Sequence, residues 1–345
     1  MSKGTTEMGK GRRPPERKVT IADVARAAGV SKTLVSFVLN GRADVGEVTR
    51  QRIQTVIAEL GYRPNRQARL LVQKKVGVVG LLLEIRAYTD LLVLHFVSAL
   101  GERLADFGYG LLLLRSGKQN PLEIIASAVE EHKVDGLILM DVLRQDPRVE
   151  WLEEAGFPYM LFSSTDQVQD HYVDVDYLPA ARLVADHLVE RGHQRVGLIA
   201  GPAEYQYIHR REESFRRAAE ERGLELPEGH CFRGDLTEAS GWESGVRLAA
   251  LPQRPTALFA VTDAMALGAM RGLMDRGVQV PRDLAVIGFG DSPAASGVRP
   301  ALTTVHMPIQ EMGRAAAAGI IVRIDGGEGG GVYIAKPRLV VRDSG

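Results

Sequence analysis

The chain has 345 residues, 45% apolar and 25% charged, which is too long for one hydrophobic core and ordinary enough in composition to be globular in two or three domains. It carries no run of about 18 uncharged apolar residues, and the basic opening MSKGTTEMGKGRRPPERK has no apolar stretch behind it, which argues against a membrane span and a secretory signal and predicts a cytoplasmic protein. A single cysteine, Cys231, rules out an internal disulfide and a multi-cysteine metal site, and reads as a small apolar residue rather than a nucleophile.

The net charge of zero hides a division. Residues 1 to 75 hold 16 basic and 6 acidic side chains, a net of +10, so the remaining 270 residues carry −10. A small basic module beside an acidic body points to a polyanion as the partner of the module, with the DNA phosphate backbone the obvious choice. Residues 1–18 read as a disordered basic tail, and residues 19–62 carry an ordered pattern.

That pattern, VTIADVARAAGVSKTLVSFVLNGRADVGEVTRQRIQTVIAELGYRPN, separates into three short helices at Gly29, at Asn40-Gly41 and at Gly61. Thr20, with Asp23 three residues on, is expected to cap the first helix, Ser31 the second and Thr49 the third. Ile21, Val24, Ala25, Leu34, Val35, Val38, Ile53, Val56, Ile57 and Leu60 are expected to face inward. The tight Ala28-Gly29-Val30-Ser31 turn needs a positive φ at Gly29 and gives the geometry of a helix-turn-helix. Turning Leu34, Val35 and Val38 inward leaves Lys32, Thr33, Ser36, Phe37 and Asn40 on an outer stripe, the one that enters the major groove in this motif. Lys32 can donate to guanine and Thr33 can offer a hydroxyl or a methyl, so these two are the first candidates for reading base edges. Arg50, Arg52 and Arg63 are expected on phosphates, where they add affinity without sequence information.

The stretch from Val19 to Leu71 resembles the head of the LacI/GalR family of bacterial repressors, whose T-I-x-D-V-A-x-x-A-G-V-S, V-S-x-V-L-N, T-R and L-G-Y-x-P-N pattern it matches almost position for position. One departure is Phe37, where many members carry Arg; an aromatic side chain can touch a thymine methyl or pack under the helix but cannot bind guanine bidentately. The resemblance also gives Thr20, Ser31 and Asn65 a place among the DNA-contacting residues. After the head, residues 63–75 read as a hinge helix and linker. PNRQARLL is too short to be helical alone, and the resemblance implies that two hinges fold together in the minor groove, with Leu71 as an intercalating wedge and Ala68 against its mate.

From Val76 onward apolar runs alternate with amphipathic stretches: VGVVGLLL, GLLLL, VDGLILM, PYMLF, RVGLIA, TALFA and LAVIGF. Strands apolar on both faces and separated by helices indicate doubly wound, mostly parallel sheets, and the series is long enough for two. The family resemblance continues through GPAEYQYIHRREESFRRA, PTALFAVTDAMALGAM, VPRDLAVIGFGDS and RPALTTV, and implies a two-lobed, periplasmic-binding-protein-like body for effector binding and dimerisation over residues 76–345. Lobe one is expected over about 76–162 and 293–320, lobe two over about 163–292 and 324–341, with three chain crossings. The fold class is therefore a small all-α helix-turn-helix domain followed by a two-lobed α/β body.

Carried over position by position, the resemblance puts the effector site on Leu92, Val93, Ser164 at a crossover, Tyr205, Tyr207, Arg211, Leu236, Asp263 and Asp291. Asp263 also reads as the N-cap of the helix that follows it. The family commonly has an acid directly after Gly-Phe, where this chain has Gly288-Phe289-Gly290-Asp291, and Asp176-Tyr177 stands where Asp-Asn is common. The effector that the resemblance implies is a sugar or another small metabolite; with Leu92, Val93 and Leu236, these changes leave few hydroxyl-binding groups and point either to an effector other than an ordinary free sugar or to a regulator that has drifted toward poor ligand response.

The function expected is a sequence-specific regulator, most simply a repressor, that binds a palindromic operator in the nucleoid as a homodimer, under the control of a small-molecule effector. Neither a cofactor nor a metal is expected. The rival readings are an enzyme, for which phosphate-loop, zinc-helix and nucleophile-elbow motifs are missing, and a ligand-unresponsive or architectural DNA-binding protein. GGEGGG at 326 to 331 reads as a flexible loop.

Overall fold

A computed structural model describes residues 19–39, 45–62, 75–84, 91–116, 119–327 and 331–345. The chain divides into two compact units, Met1–Lys74 and Lys75–Gly345.

In the first unit α1 (Ile21–Ala28), α2 (Lys32–Leu39) and α3 (Glu47–Glu59) enclose Val24, Ala25, Ala28, Val35, Val38, Val45, Ile53 and Tyr62. The Thr20 hydroxyl accepts from the Asp23 N–H while the Asp23 carboxylate accepts from the Thr20 N–H, a reciprocal capping box. Gly29 ends α1 at φ 65°, and its N–H meets the Ala25 and Arg26 carbonyls. The Ser31 hydroxyl then takes the Leu34 N–H at 3.1 Å.

Two expectations fail here. The third helix begins after Gly46, so Thr49 lies inside its first turn and caps nothing; Val45, buried in the core, fixes that earlier start. Leu60 is exposed, because Gly61 at φ 59° turns the chain back at the helix end and delivers Tyr62 to the core instead, its N–H bonded to the Ile57 carbonyl at 3.0 Å.

The second unit is built on two six-stranded sheets among the described residues. Its elements run β1 (Val78–Glu84), α4 (Leu91–Phe107), β2 (Gly110–Ser116), α5 (Pro121–Glu130), β3 (Gly136–Leu139), α6 (Pro147–Glu154), β4 (Tyr159–Phe162), β5 (His171–Val175) and α7 (Tyr177–Glu190). They continue with β6 (Val196–Ala200), α8 (Gln206–Glu221), β7 (Cys231–Arg233), α9 (Glu238–Ala249), β8 (Ala257–Ala260), α10 (Asp263–Met274), β9 (Ala285–Gly290) and α11 (Pro293–Gly297). The chain ends through β10 (Thr303–His306), α12 (Ile309–Ile324), β11 (Gly331–Ala335) and β12 (Arg338–Val340). The first sheet, ordered β11-β5-β4-β3-β1-β2, is parallel throughout; the second, β12-β10-β9-β8-β6-β7, is parallel except for β12. Strands β3, β4, β6, β8 and β9 are buried along their whole length, which is why they read as unbroken apolar runs.

Strand membership moves the expected lobe limits. β5 joins the first sheet beside β4, so the first crossing comes at Asp176, and Ser164 sits within lobe one rather than at a crossover. β10 pairs with β9, which puts 303–306 in lobe two and the second crossing at Met307-Pro308; α12 then packs on α4 in lobe one. The third crossing lies between β11, paired with β5, and β12, paired with β10. Each limit follows from a strand of five residues or fewer: β5 and β10 remain beside the strand that precedes them, while β11 and β12 return to partners much earlier in the chain, and no local pattern carries that choice.

Helices α9 and α10 approach each other through glycines. A β-carbon on Gly241 or Gly245 would collide with the Met265 or Ala269 backbone, and one on Gly268 or Gly272 with the Glu238 or Trp242 carbonyl. The two Gly-x-x-x-Gly pairs thus interlock backbone to backbone.

Candidate nucleic-acid interface and ligand cleft

In the head, the left-handed turn at Gly29 sends α2 off with Ser31, Lys32 and Thr33 exposed at its N-terminus. Val35 and Val38 anchor the opposite face in the core. Ser36 is half-buried, and Phe37 is half-buried against that same core, so the aromatic side chain packs under the helix rather than standing free of it. Arg50 is mostly buried and lies 3.7 Å from Glu47, Arg52 is exposed, and Thr20 is exposed beside its cap partner. Asn40, Arg63, Asn65, Ala68 and Leu71 lie outside the described residues. What the described part brings together is an exposed cation and hydroxyls at the entry of the second helix of a helix-turn-helix, the end that meets base edges.

In the body, strand ends of both sheets face each other. The segment after β3 reaches the one before α8: Leu143 and Tyr205 form an antiparallel bridge, the Gln206 N–H donates to the Val142 carbonyl at 2.9 Å, and the Tyr207 hydroxyl donates to Asp141 at 3.3 Å. The loop after β3 is braced by a buried pair that sequence reasoning missed. Arg148 bonds to Asp146 and to the Asp141 carbonyl, while Asp146 also accepts from the Leu143 N–H.

Arg211 is buried, 6% exposed, with Nη1 on the Val261 carbonyl at 2.8 Å and Nη2 on the Met307 sulfur at 3.3 Å. Aromatic rings surround it: Phe289 at 4.0 Å, Tyr207 at 5.0 Å and Tyr177 at 5.8 Å from the guanidinium carbon. Burial, with the Asp174 charge nearby, raises the Tyr177 phenol pKa, keeping it neutral. Leu92 is half-buried against Gly290, where a β-carbon would come within 2.6 Å of its Cδ1. Leu236, at an unusual φ of 72°, leans over Gly201. Val93 and Tyr205 are half-buried against the core.

The acids are committed elsewhere. Asp263 is the first residue of α10, not its cap: Thr262 holds that place, its hydroxyl accepting from the Met265 N–H. The Asp263 carboxylate accepts instead from the Thr304 hydroxyl at 2.5 Å and the Ser292 N–H at 2.6 Å, and burial pushes its pKa up. Burial also pushes the Asp291 carboxyl up, but Arg342 at 2.5 Å and His306 at 2.8 Å outweigh it and hold it below the ordinary range. Ser164 bonds to Asp174 through both its N–H and its hydroxyl, and Arg210 donates to the same hydroxyl.

Two cavities flank this centre. One of about 590 Å³ is lined by Ser164, Asp174, Tyr177, Gln206 and Arg210, and one of about 430 Å³ by Leu92, Asp291, His306, Met307 and Ile309. Neither is lined by Val93, Tyr205, Tyr207, Arg211, Leu236 or Asp263. Arg210, Asp174 and Met307 join the site without having been foreseen; of these only Arg210 had a signal, its place one residue from Arg211.

Residues 20–65 match the model of the bacterial regulatory proteins, lacI family, and residues 185–345 that of a periplasmic binding protein-like domain. The HTH-type transcriptional regulator CelR of Thermobifida fusca is 34% identical over 338 residues, covering 95% of this chain and 99% of CelR. The chain belongs to the LacI family. Catabolite control protein A of Priestia megaterium is likewise 34% identical, over 86% of this chain and 90% of its own. Among solved structures, the complex of CelR with cellobiose superposes with a TM-score of 0.73 at 32% identity, covering 95% of this chain and all of that one. The lac repressor dimer bound to operator and the anti-inducer ONPF gives 0.71 at 27% identity, with 95% and 99% covered. As a LacI-family protein the chain is a DNA-binding transcriptional regulator, a two-part molecule with a helix-turn-helix head and a two-sheet ligand-type body. No helix among the described residues is long and apolar enough to cross a membrane.

Proposed function

We propose that this regulator represses transcription as a homodimer on a palindromic operator within the cytoplasm, at the nucleoid, and that a small molecule held between the lobes sets its affinity for DNA. The observation that carries the reading is the exposed N-terminus of α2, where Lys32 and Thr33 stand beyond the Gly29 turn on a head with a net basic charge. Lys32 and Thr33 read base edges, with Ser36 and Asn40 farther along the stripe, while Thr20, Ser31, Arg50, Arg63 and Asn65 hold phosphates. Ala68 and Leu71 form the hinge wedge. Phe37, packed on the head core, presents at most its ring edge, so base preference at that position is apolar.

One head contacts only a few base pairs, and a two-fold pair of heads matches an inverted repeat. Ligand binding between lobes that the chain crosses three times changes their angle, and with it the spacing of the two heads. The cleft draws on Leu92, Val93, Tyr205, Tyr207, Arg211 and Leu236, with Ser164, Asp263 and Asp291 as supporting groups.

The test is selection of bound sequences from a random duplex library at two salt concentrations. An inverted repeat with a central pyrimidine-purine step that survives the higher salt is the expected outcome. Weak enrichment lost with salt and lacking a repeat would instead mark an architectural DNA-binding protein.

A further inference from the structure

The cavity of about 590 Å³ is separate from the one beside Met307, with which it shares no lining residue. Alternate residues of a strand point to opposite faces of its sheet, and β5 divides the two cavities accordingly. Val173 lies in one cluster with Phe96 of α4 and Ile320 of α12, the helices that wall the smaller cavity, whereas Tyr172 packs on the cluster of α5 and α6. Tyr172 and Asp174, on that second face, line the larger cavity. Adjacent residues of α8 part in the same way: Arg211 enters the aromatic centre and Arg210 reaches the larger cavity. Both lobes supply the wall, lobe one through Ser164, Tyr172 and Ile334, lobe two through Leu178, Arg210 and Ser214.

Two independent features of this wall call for a positively charged hydrogen-bond donor. The first is Gln206, which lines the cavity, is only 4% exposed, and has its Oε1 buried with no hydrogen-bond partner among the described residues. An unpaired buried acceptor is unfavourable until a donor reaches it. The last torsion of a glutamine is soft, so the carboxamide can turn that oxygen toward a guest. The second feature is charge. Four carboxylates, Asp166, Asp174, Asp176 and Glu213, stand against the guanidiniums of Arg144 and Arg210. Arg210 is spent on lobe one: it donates to the Ser164 hydroxyl and lies 3.6 Å from Asp174 and 3.9 Å from Asp166. Asp174 is held further by the Ser164 and Val175 N–H groups. Asp176, at the N-cap of α7, makes no side-chain cap bond, and the ion-pair partner of Glu213 among the described residues is His209, at 3.7 Å. Arg144 is exposed, where solvent and salt screen it. An excess of negative charge thus remains in a concave space floored by Tyr172, Leu178 and Ile334, an arrangement that concentrates cations.

We propose that this cavity is a second small-molecule site, separate from the effector cleft, and that it takes a protonated aliphatic amine. The ammonium group donates to Gln206 and to the carboxylates of Asp176 and Glu213, and the hydrocarbon lies on Tyr172, Leu178 and Ile334. The cavity's size is in the range of small-ligand sites. Because its wall belongs to both lobes, and Arg210 already ties them there, occupancy fixes the angle between the lobes from the face of the first sheet opposite α4 and α12.

Thermal melting of the full-length protein at constant ionic strength tests this with 1,4-diaminobutane against 1,4-butanediol, which has the same frame and no charge. The diamine raises Tm and the diol does not. Gln206→Leu raises the half-saturating diamine concentration about tenfold, the loss of one charge-assisted hydrogen bond, and raises Tm of the ligand-free protein, because an apolar side chain replaces an unpaired buried carboxamide. Asp176→Asn combined with Glu213→Gln, both at exposed positions, weakens the response at least as much. Asp291→Asn, in the other cavity, leaves the half-saturating concentration at its parent value. A diol as effective as the diamine would assign the cavity to neutral hydroxyl compounds and overturn the amine. A response that survived both the Gln206 and the acid substitutions would put the diamine on the acidic surface of the body, and one lost in Asp291→Asn would put it in the other cavity. Either result, or no rise in Tm at all, would overturn the proposal while leaving the effector cleft untouched.

Discussion

The head and the body differ most in how much lies behind each contact. The described head withdraws eight apolar side chains, only Val24, Val35 and Ile53 completely, whereas the body's two clusters run through both sheets and across every helix layer. Small units bury a smaller share of their surface and hold a thinner margin. In the head, therefore, any one core contact is a large part of the whole, and the DNA-reading helix depends directly on it. In the body, contacts are redundant for stability, and the informative residues are those that break the packing rules, such as Arg211.

The largest expected effect follows from that asymmetry. Ile53→Ala removes a fully buried side chain from the head, a loss of roughly 2–5 kcal/mol. Specific duplex binding, followed by fluorescence anisotropy, should disappear while the calorimetric transition of the body is unchanged. A body that melted earlier as well would show that the two units are not independent.

The counterpart in the body is Gly268→Ala. Its added methyl meets the Glu238 carbonyl where α9 and α10 interlock, backbone atoms that have no rotamer to yield. Overpacking of this kind is unfavourable by about 1–3 kcal/mol. The body's Tm should fall, with head amide exchange left as it was. Protection lost in the head would again merge the two units.

A smaller effect separates charge from packing within the body. Asp291 is held below the ordinary carboxyl range by Arg342 and His306. A carboxyl lowered in the folded state contributes stability that is present above its unfolded pKa and lost as the pH falls through the folded value. Asp291→Asn should accordingly lower the body's Tm at neutral pH by roughly 2–4 °C, equivalent to about 1 kcal/mol, and the gap to the parent protein should close in acid. A gap that persisted at all pH values would mean that Asp291 acts by shape alone.

The two regions also differed in how legible they were. The head's caps, turn and outer stripe are local: Thr20 with Asp23, Gly29 and Ser31 all lie within a few residues of what they bind, so sequence spacing finds them. Thr49 and Leu60 failed where a neighbour won, Val45 pulling the helix start forward and Tyr62 taking the inner place. In the body the element types were readable from unbroken apolar runs, but the lobe limits were not, because β5 and β10 are short strands that stay in the sheet of the strand before them, and β11 is assigned by a partner 160 residues back. Arg211 could be singled out by likeness, yet that no carboxylate among the described residues pairs with it could not, since that depends on where Asp263 and Asp291 spend their oxygens. The Gly-x-x-x-Gly spacing on α9 and α10 stands in the sequence, but its meaning appears only where two such helices cross.

A free-energy change no larger than that of Asp291→Asn gives the sharpest test of the comparison, because it can be made identically in both regions. Thr20→Ala removes the cap of α1 in the head and Thr262→Ala the cap of α10 in the body, each worth about 1 kcal/mol. A given loss moves the midpoint of a unit in inverse proportion to its unfolding entropy, by about 4–8 °C for small domains and about 2–4 °C for ones several times larger. The head substitution should thus shift the head's own transition, read by hydrogen exchange at the α1 amides against temperature, at least twice as far as the body substitution shifts the body's. Equal shifts would mean that head and body unfold as one cooperative unit, and the thin margin attributed to the head would then belong to the whole chain.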